Sequence, residues 1–277
     1  MSLTLMYITN NPDVALIAEK YGVDRVWVDL ETLGKEQRQK GLNSVKSHHT
    51  VEDVRAISPL LTKAEMLVRV NPINSESRKE IEEVISAGAD MIMLPMWKTT
   101  EEVLQFLKIV NNRVKTTLLL ETKEAVDCVD KVLSYGGFDE IHIGLNDLHL
   151  SYGLSFMFEL LSNGTVENLC KKFKQHGIVY GFGGIAKLGS GLIPAEMIIK
   201  EHYRLGSTRA ILSRSFCNTE QIRGKSEIEK VFSINMQKLR DYEKEIEMCD
   251  CFDLSKNKNA MDEKIKIVSR EMRQNEN

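Results

Sequence analysis

The sequence predicts an α/β protein folded as a (β/α)₈ barrel of the TIM type, with a C-terminal helical extension. Three observations support this prediction. Short apolar, β-rich runs alternate with longer segments of helical periodicity, which is typical of βα units around a parallel sheet. Eight such pairs fit within about 250 residues, the length that a closed barrel of this type needs. The main rival is a doubly wound open sheet, but no GxGxxG motif follows the first predicted strand.

Each predicted strand is bounded by residues that favour turns or helix starts. Asn11-Pro12-Asp13 follows the first strand, and Asn71-Pro72 ends the third. The eight predicted strands are Leu3–Thr9, Val26–Leu30, Met66–Val70, Asp90–Leu94, Thr116–Leu120, Glu140–Gly144, Ile178–Phe182 and Arg209–Ser213.

A predicted helix follows every strand, and glycines such as Gly22, Gly88 and Gly136 mark helix ends. The predicted helices are 11–21, Thr50–Ser58, Ser75–Ala87, Thr100–Val110, Lys123–Ser134, a segment within Phe156–His176, Ala195–Leu205 and Glu220–Met248.

Two parts of the chain are distinguished by composition. Residues 1–222 are assigned to the catalytic barrel, and residues 223–277 to a C-terminal helix and polar tail. From Asp253 onward the chain is rich in Lys, Asn, Glu and Asp, with helical periodicity only over Met261–Met272. We expect this tail to fray in solvent or to pack on a neighbouring subunit.

Composition argues against several classes of partner. The net charge is −3 and the pI about 6.1, so a nucleic-acid partner is not expected. A membrane span, which needs about 18 consecutive apolar residues, is not predicted, nor is a secretory signal. The five cysteines form no CxxC motif, which favours a reducing, cytoplasmic location.

Charged and polar residues recur where predicted strands end. They are Asp29 and Glu31 after the second strand, Arg69 in the third, Glu121 after the fifth, and Asn146 and Asp147 after the sixth. A charge within an apolar β-run is costly unless it is paired or binds a metal. The carboxyl ends of barrel strands are also where barrel enzymes place their active sites.

Glu121 and Asp147 are candidate ligands of a divalent metal. They leave consecutive predicted strands, and neighbouring parallel strands lie about 4.7–4.9 Å apart. Two such carboxylates suit Mg²⁺ or Mn²⁺, which could act as a Lewis acid on a bound 2-oxo acid. Arg69 could hold the negative charge of an enolate. Structural ion pairs are the alternative for all three residues.

Two connections stand out as candidate loops at the mouth of the barrel. The long polar segment from Glu31 to His49 carries His48 and His49, which are candidates for proton transfer because imidazole titrates in the right range. The segment 181–191 contains five glycines, among them Gly183 and Gly184. Glycine allows the backbone to approach a ligand closely.

Five motifs, in order, resemble the HpcH/HpaI aldolase and citrate lyase family of the phosphoenolpyruvate/pyruvate-type barrel superfamily. They are VWVDLE at 26–31, LVRVNP at 67–72, AGADMIMLPM at 87–96, LLLETKEAV at 118–126 and IHIGLNDL at 141–148. The resemblance covers about residues 3–215. It implies a metal-dependent barrel that acts on a small pyruvate- or oxaloacetate-like 2-oxo acid and assembles as a homo-oligomer.

The resemblance also implies residue roles. It places the metal ligands at Glu121 and Asp147 and the enolate-stabilising group at Arg69. Thr32 stands where the sugar-acid aldolase branch has a histidine that belongs to the acid/base machinery. The acid/base residue is therefore left open, with His48 and His49 as candidates. The substrate-binding candidates are Arg69, Asp29, Glu31, Asn146, Gly183 and Gly184.

The expected function is a metal-dependent carbon–carbon lyase of the class II aldolase type, which joins a pyruvate enolate to an aldehyde or reverses that reaction. Citrate-lyase-like cleavage of a malyl- or citramalyl-CoA thioester is the first alternative. A catalytically silent barrel used for assembly or ligand sensing is the second.

Overall fold

The computed structural model of the chain describes residues 2–34, 48–219, 221–222 and 224–275. Its eight strands form a closed parallel barrel in which sequence order is also spatial order. This confirms the predicted fold class. The strands are β1 (Thr4–Ile8), β2 (Arg25–Asp29), β3 (Glu65–Arg69), β4 (Met91–Leu94), β5 (Lys115–Leu120), β6 (Glu140–Ile143), β7 (Val179–Ile185) and β8 (Arg209–Leu212).

Within the described residues, eleven α-helices accompany the strands. They are α1 (Pro12–Lys20), α2 (Val51–Ile57), α3 (Ser77–Ser86), α4 (Thr100–Val110), α5 (Lys123–Tyr135), α6 (Leu145–Ser151), α7 (Glu159–Ser162), α8 (Thr165–Gln175), α9 (Ala195–Leu205), α10 (Lys225–Glu247) and α11 (Cys251–Asn275). None of these helices has the length and apolarity needed to cross a membrane.

Side-chain caps fix the helix starts that follow the strands. The Asn11 carboxamide oxygen accepts the N–H groups of Asp13 and Val14 at the start of α1. Thr50 begins α2 with a capping box, and Thr99 does the same for α4. Such caps satisfy backbone donors that a helix leaves unpaired in its first turn. The chain therefore turns from strand to helix at defined positions.

The chain divides into two compact units, Met6–His142 and Met1–Leu5 with Ile143–Asn277. In the first unit, β2 and β3 pair along their whole length, from Arg25 opposite Glu65 to Asp29 opposite Arg69. Its core contains the buried side chains of Trp27, Trp97 and Phe106.

A buried ion pair joins the amino-terminal ends of strands in this unit. Arg25 of β2 donates to both carboxylate oxygens of Glu140, at 2.6 and 2.8 Å, and to Glu65 at 2.8 Å. Burial alone would lower the pKa of Arg25, but the two carboxylates outweigh that effect and raise it. Bidentate geometry offsets part of the desolvation cost of burying these charges.

In the second unit, β7 is longer at its carboxyl end than the predicted strand Ile178–Phe182. It continues to Ile185 and pairs with β8, with a register shift between Gly181 and Gly184. Gly183 adopts φ +51°, which is strained for residues with a side chain. The two extra glycines therefore continue the strand through an irregularity, where a loop was expected.

The C-terminal region also differs from expectation. The tail, which was expected to fray or to pack on a neighbouring subunit, forms the 25-residue helix α11, which packs on α9 and α7 of the same unit. Met261, Ile265 and Val268 supply the buried side of this helix, and Asn257 donates to the Met197 carbonyl at 3.0 Å. Helical spacing of a few apolar residues was enough to fix a helix in a polar sequence.

Asn146 and Asp147, expected just beyond the sixth strand, lie in the first turn of helix α6. The single helix expected within Phe156–His176 is divided into α7 and α8, which are separated by Asn163 and Gly164. Gly164 has φ +86°, a conformation that ends one helix and starts the next at low steric cost.

We expect Arg25→Ala to lower the free energy of unfolding by about 3–5 kcal/mol, because it leaves buried carboxylates without their cation. Urea denaturation followed by circular dichroism measures the change. Arg55→Ala is the control, since Arg55 pairs with Glu52 on an exposed helix face and should hardly shift the midpoint. Equal effects of the two substitutions would contradict this account.

Candidate active site

The carboxyl ends of β2 and β3 are joined by a bidentate ion pair. Arg69 donates from Nε to Oδ1 of Asp29 and from Nη2 to Oδ2, both at 2.8 Å. The two residues are register partners on adjacent strands, so their side chains emerge side by side. The Nη2 atom also lies 3.3 Å from the carboxylate of Glu31, and the guanidinium lies 5.2 Å from the centroid of the Trp27 ring.

This arrangement is almost entirely buried. Asp29, Glu31 and Glu121 are each 2% exposed. Burial on its own would lower the pKa of Arg69, but the charges of these three carboxylates raise it above its ordinary value. The guanidinium is therefore held as a permanent cation, in surroundings of low polarity where its field acts strongly.

Glu121 follows β5 and is oriented by two neighbouring features. Its Oε1 accepts the backbone N–H of Met96 at 3.0 Å, and Met96 adopts φ +52°. The next residue, Thr122, caps α5 by accepting the Ala125 N–H and donates to the Trp97 carbonyl at 2.8 Å. A non-glycine residue in the left-handed region is strained, and such strain often occurs at functional sites.

Asn71, two residues beyond the end of β3, organises the start of the segment that follows β2. Its side-chain oxygen accepts the backbone N–H groups of Thr32 and Leu33, both at 2.9 Å. Its amide nitrogen donates to Glu80 at 2.8 Å, and its backbone N–H donates to the same oxygen at 3.1 Å. Burial raises the pKa of Glu80, against the bonds from Asn71, which lower it.

The two histidines proposed for proton transfer have different surroundings. His49 accepts the backbone N–H of Asp29 at Nδ1, at 3.0 Å, which places its ring at the carboxyl end of β2. His48 is exposed. Residues 35–47 of the same segment lie outside the described residues.

The remaining candidates belong to the second unit. Asp147 is half-buried and Asn146 exposed, both in the first turn of α6. A Cβ at Gly183 would lie 2.7 Å from a methyl group of Leu145, and one at Gly184 would lie 3.3 Å from the Ile211 carbonyl. Close packing therefore explains why glycine occurs at both positions. The substrate contact predicted for them stays a prediction.

The donor chemistry fits a hard divalent cation. Glu121 and Asp147 offer carboxylate oxygens, which Mg²⁺ and Mn²⁺ prefer. Within the described part of the chain, His, Cys, Asp and Glu form no group of three or more that could hold a metal. Mg²⁺ usually takes only one or two carboxylates, with water and substrate as its other ligands.

Sequence reasoning missed three contributors to this site. Met96 is strained and donates to Glu121, and no local feature of its sequence indicated either property. Asn71 was read only as part of a strand end, although Asn before Pro at that position is a recognisable turn signal. Trp27 was counted as an apolar strand residue, but its ring lies beside the Arg69 guanidinium, where a cation–π contact contributes about 0.5–2 kcal/mol.

We expect Asn71→Ala to lower the free energy of unfolding by about 1–2 kcal/mol, since it removes the acceptor of two backbone N–H groups and a donor to Glu80. Chemical denaturation measures the loss. Limited proteolysis should also become faster after β2, because the segment following Thr32 loses its attachment. A wild-type unfolding midpoint and cleavage rate would contradict the role given to Asn71.

Comparison with known proteins shows the family of this chain and supports its fold. The model of the family described as HpcH/HpaI aldolase/citrate lyase matches residues 3–159. No curated protein sequence gave a significant match. An HpcH/HpaI aldolase from Desulfitobacterium hafniense DCB-2 has a similar structure, with a TM-score of 0.60 at 16% identity over 76% of this chain and 86% of that one.

A second solved structure, an HpcH/HpaI aldolase/citrate lyase family protein from Burkholderia cenocepacia J2315, has a TM-score of 0.57 at 14% identity. It covers 87% of this chain and 95% of that one. At these identities the structures support the fold alone. The family model, however, spans more than half of the chain, so the protein belongs to the HpcH/HpaI aldolase/citrate lyase family and is a lyase of that family.

Proposed function

We propose that this protein is a divalent-metal-dependent carbon–carbon lyase that forms or uses a pyruvate enolate, making or cleaving the adduct of a 2-oxo acid with an aldehyde. The observation that carries the proposal is the Arg69 guanidinium, whose side chain is 12% exposed and is held by Asp29 and Glu31 at the carboxyl ends of the strands. Family membership supports the class of reaction. The Arg69 guanidinium is a group suited to stabilise the enolate intermediate of that reaction.

Arg69 is suited to stabilise developing negative charge. It stays protonated at any physiological pH, and the N–H groups of its guanidinium that do not bond to Asp29 can donate to a carboxylate or an enolate oxygen. Because Asp29 fixes Nε and Nη2, little reorganisation is needed when charge develops on the substrate. Donors fixed in advance in this way commonly contribute 10²- to 10³-fold to a rate, as an order of magnitude.

The charge balance supports a metal at Glu121. Asp29, Glu31 and Glu121 are three buried carboxylates that all act on the single guanidinium of Arg69. Buried charge of this kind requires compensation. Glu121 would hold the ion, with the Met96 N–H fixing its orientation, and Asp147 stays the second ligand that the sequence predicts. When bound, Mg²⁺ or Mn²⁺ would polarise the carbonyl of a chelated 2-oxo acid.

Cleavage of a malyl- or citramalyl-CoA thioester remains the alternative, because it would pass through a comparable enolate. A silent barrel is less well supported, since a scaffold has no physical need to bury Arg69 among three carboxylates. The homo-oligomeric state, the cytoplasmic location and the absence of nucleic-acid and membrane partners stay predictions from the sequence.

We expect the purified protein to exchange the methyl protons of pyruvate for deuterium when Mg²⁺ or Mn²⁺ is present, as followed by proton NMR. Glu121→Gln should abolish the exchange, because the amide can still accept the Met96 N–H but carries no charge for a metal. Glu124→Gln is the matched control on the exposed first turn of α5. Exchange that is unaffected by chelator or by Glu121→Gln would contradict the proposal.

Arg69→Lys separates enolate stabilisation from metal binding. Lysine keeps the charge but loses the two-pronged geometry, so we expect exchange to slow by about 10²- to 10³-fold. Calorimetric affinity for Mn²⁺ should change little, since Arg69 is not a proposed ligand. A variant that loses metal affinity and exchange in parallel would instead indicate that Arg69 only maintains the fold.

A substrate panel decides between the two reactions. Pyruvate with a series of aldehydes should give aldol products that depend on Glu121 and the metal. Malyl-CoA and citramalyl-CoA should be left intact. Cleavage of either thioester without any aldol reaction would favour the citrate-lyase-like alternative.

A further inference from the structure

The hydrogen bond between Asp29 and His49 has an unusual position in the barrel. The Thr9 N–H, one residue beyond β1, donates to the Trp27 carbonyl at 3.0 Å. In a parallel ladder, the next bond between these strands would come from the Asp29 N–H to a carbonyl of the β1 chain. Nδ1 of His49, twenty residues farther along the sequence, accepts this N–H at 3.0 Å.

With the bond to His49, the carboxyl end of β2 is held by hydrogen bonds on both of its sides. On the side facing β3, the Leu30 N–H donates to the Arg69 carbonyl at 2.9 Å. On the other side, His49 holds the Asp29 N–H. The Asp29 carboxylate then accepts both arms of the Arg69 fork and the Glu31 N–H at 3.2 Å. His49 is thus connected to Arg69 through one residue.

The direction of the bond constrains the chemistry of the ring. A backbone N–H can only donate, so Nδ1 carries no proton while the bond exists. In the neutral imidazole the hydrogen is then on Nε2, which makes Nε2 a donor. A general base needs an available lone pair on a ring nitrogen, and the bond occupies that of Nδ1. The geometry therefore favours a structural part for His49 over proton abstraction.

We propose that His49 is a positioning residue, a neutral acceptor at the carboxyl end of β2 that fixes Asp29 and, through Asp29, aims the Arg69 guanidinium at the substrate. The inference rests on the proposed enolate-forming function. It differs from the role predicted from the sequence, which was proton transfer by His48 or His49.

Three substitutions at residue 49 distinguish positioning from proton transfer. Asn places an acceptor near the position of Nδ1, Gln places its amide near Nε2, and Ala has neither group. For a positioning residue, His49→Ala should slow metal-dependent exchange of pyruvate by about 10²-fold, as misplacement of a catalytic group commonly does. His49→Asn should recover most of this loss and His49→Gln little of it. His176→Ala, an exposed histidine at the end of α8, is the control.

Two outcomes of these rate measurements would overturn the proposal. If neither Asn nor Gln restores exchange while folding and Mn²⁺ affinity stay intact, His49 carries the proton itself. If all three variants exchange like the wild type, the bond has no part in the reaction.

Measurements that do not depend on catalysis test this inference separately from the proposed function. Long-range proton–nitrogen NMR of the wild-type protein should show His49 with the hydrogen on Nε2, and thermal unfolding should rank wild type and His49→Asn above His49→Ala. A hydrogen on Nδ1, or equal stability of the three proteins, would overturn the positioning role of His49. If the wild type exchanges no pyruvate protons but has the Nε2 tautomer, the proposed function is refuted. The hydrogen bond by which His49 fixes Asp29 would still be supported.

Discussion

The ion pair between Arg69 and Asp29 is the interaction on which the candidate site depends. Burying a guanidinium and a carboxylate removes both from water, a cost that is recovered only with good geometry and further hydrogen bonds. The register of β2 and β3 supplies that geometry, because it sets the two residues opposite each other. The rest of the described site either supports Asp29 or adds charge beside Arg69.

Support for this pair comes from beyond the strands themselves. His49 holds the backbone of Asp29, and Asn71 holds the first residues after Glu31. Both contacts join side chains to backbone N–H groups at the carboxyl end of β2 or just beyond it. A closed barrel ends its ladder abruptly at the mouth, so polar side chains from the following segments must satisfy the remaining backbone groups. In this protein those side chains also hold Asp29 and the residues that follow Glu31, which are part of the candidate site.

The arrangement of charged residues differs between the two ends of the strands in the unit Met6–His142. At the amino-terminal ends, Arg25 faces Glu140 and Glu65, and Lys115 also pairs with Glu65, so anions and cations are matched. At the carboxyl ends, the three buried carboxylates of Asp29, Glu31 and Glu121 act on the single guanidinium of Arg69. The first arrangement is typical of structural ion pairs. The second leaves room in its charge balance for a divalent cation and an anionic substrate, as the proposed function requires.

The sequence by itself determined the class of the fold and its order of elements, because apolar periodicity and turn residues act locally. It also identified Asp29, Glu31, Arg69 and Glu121, since charges at the ends of apolar runs are visible without coordinates. Tertiary structure alone decided which of these groups meet. The partner of Arg69, the strained Met96 N–H on Glu121, and the contact of His49 with β2 depend on atoms 20 to 40 residues apart in the chain. No local pattern encodes such pairings. For the same reason the length of α11 was predicted too short, because its few apolar residues stabilise the helix only when they pack against α9 and α7.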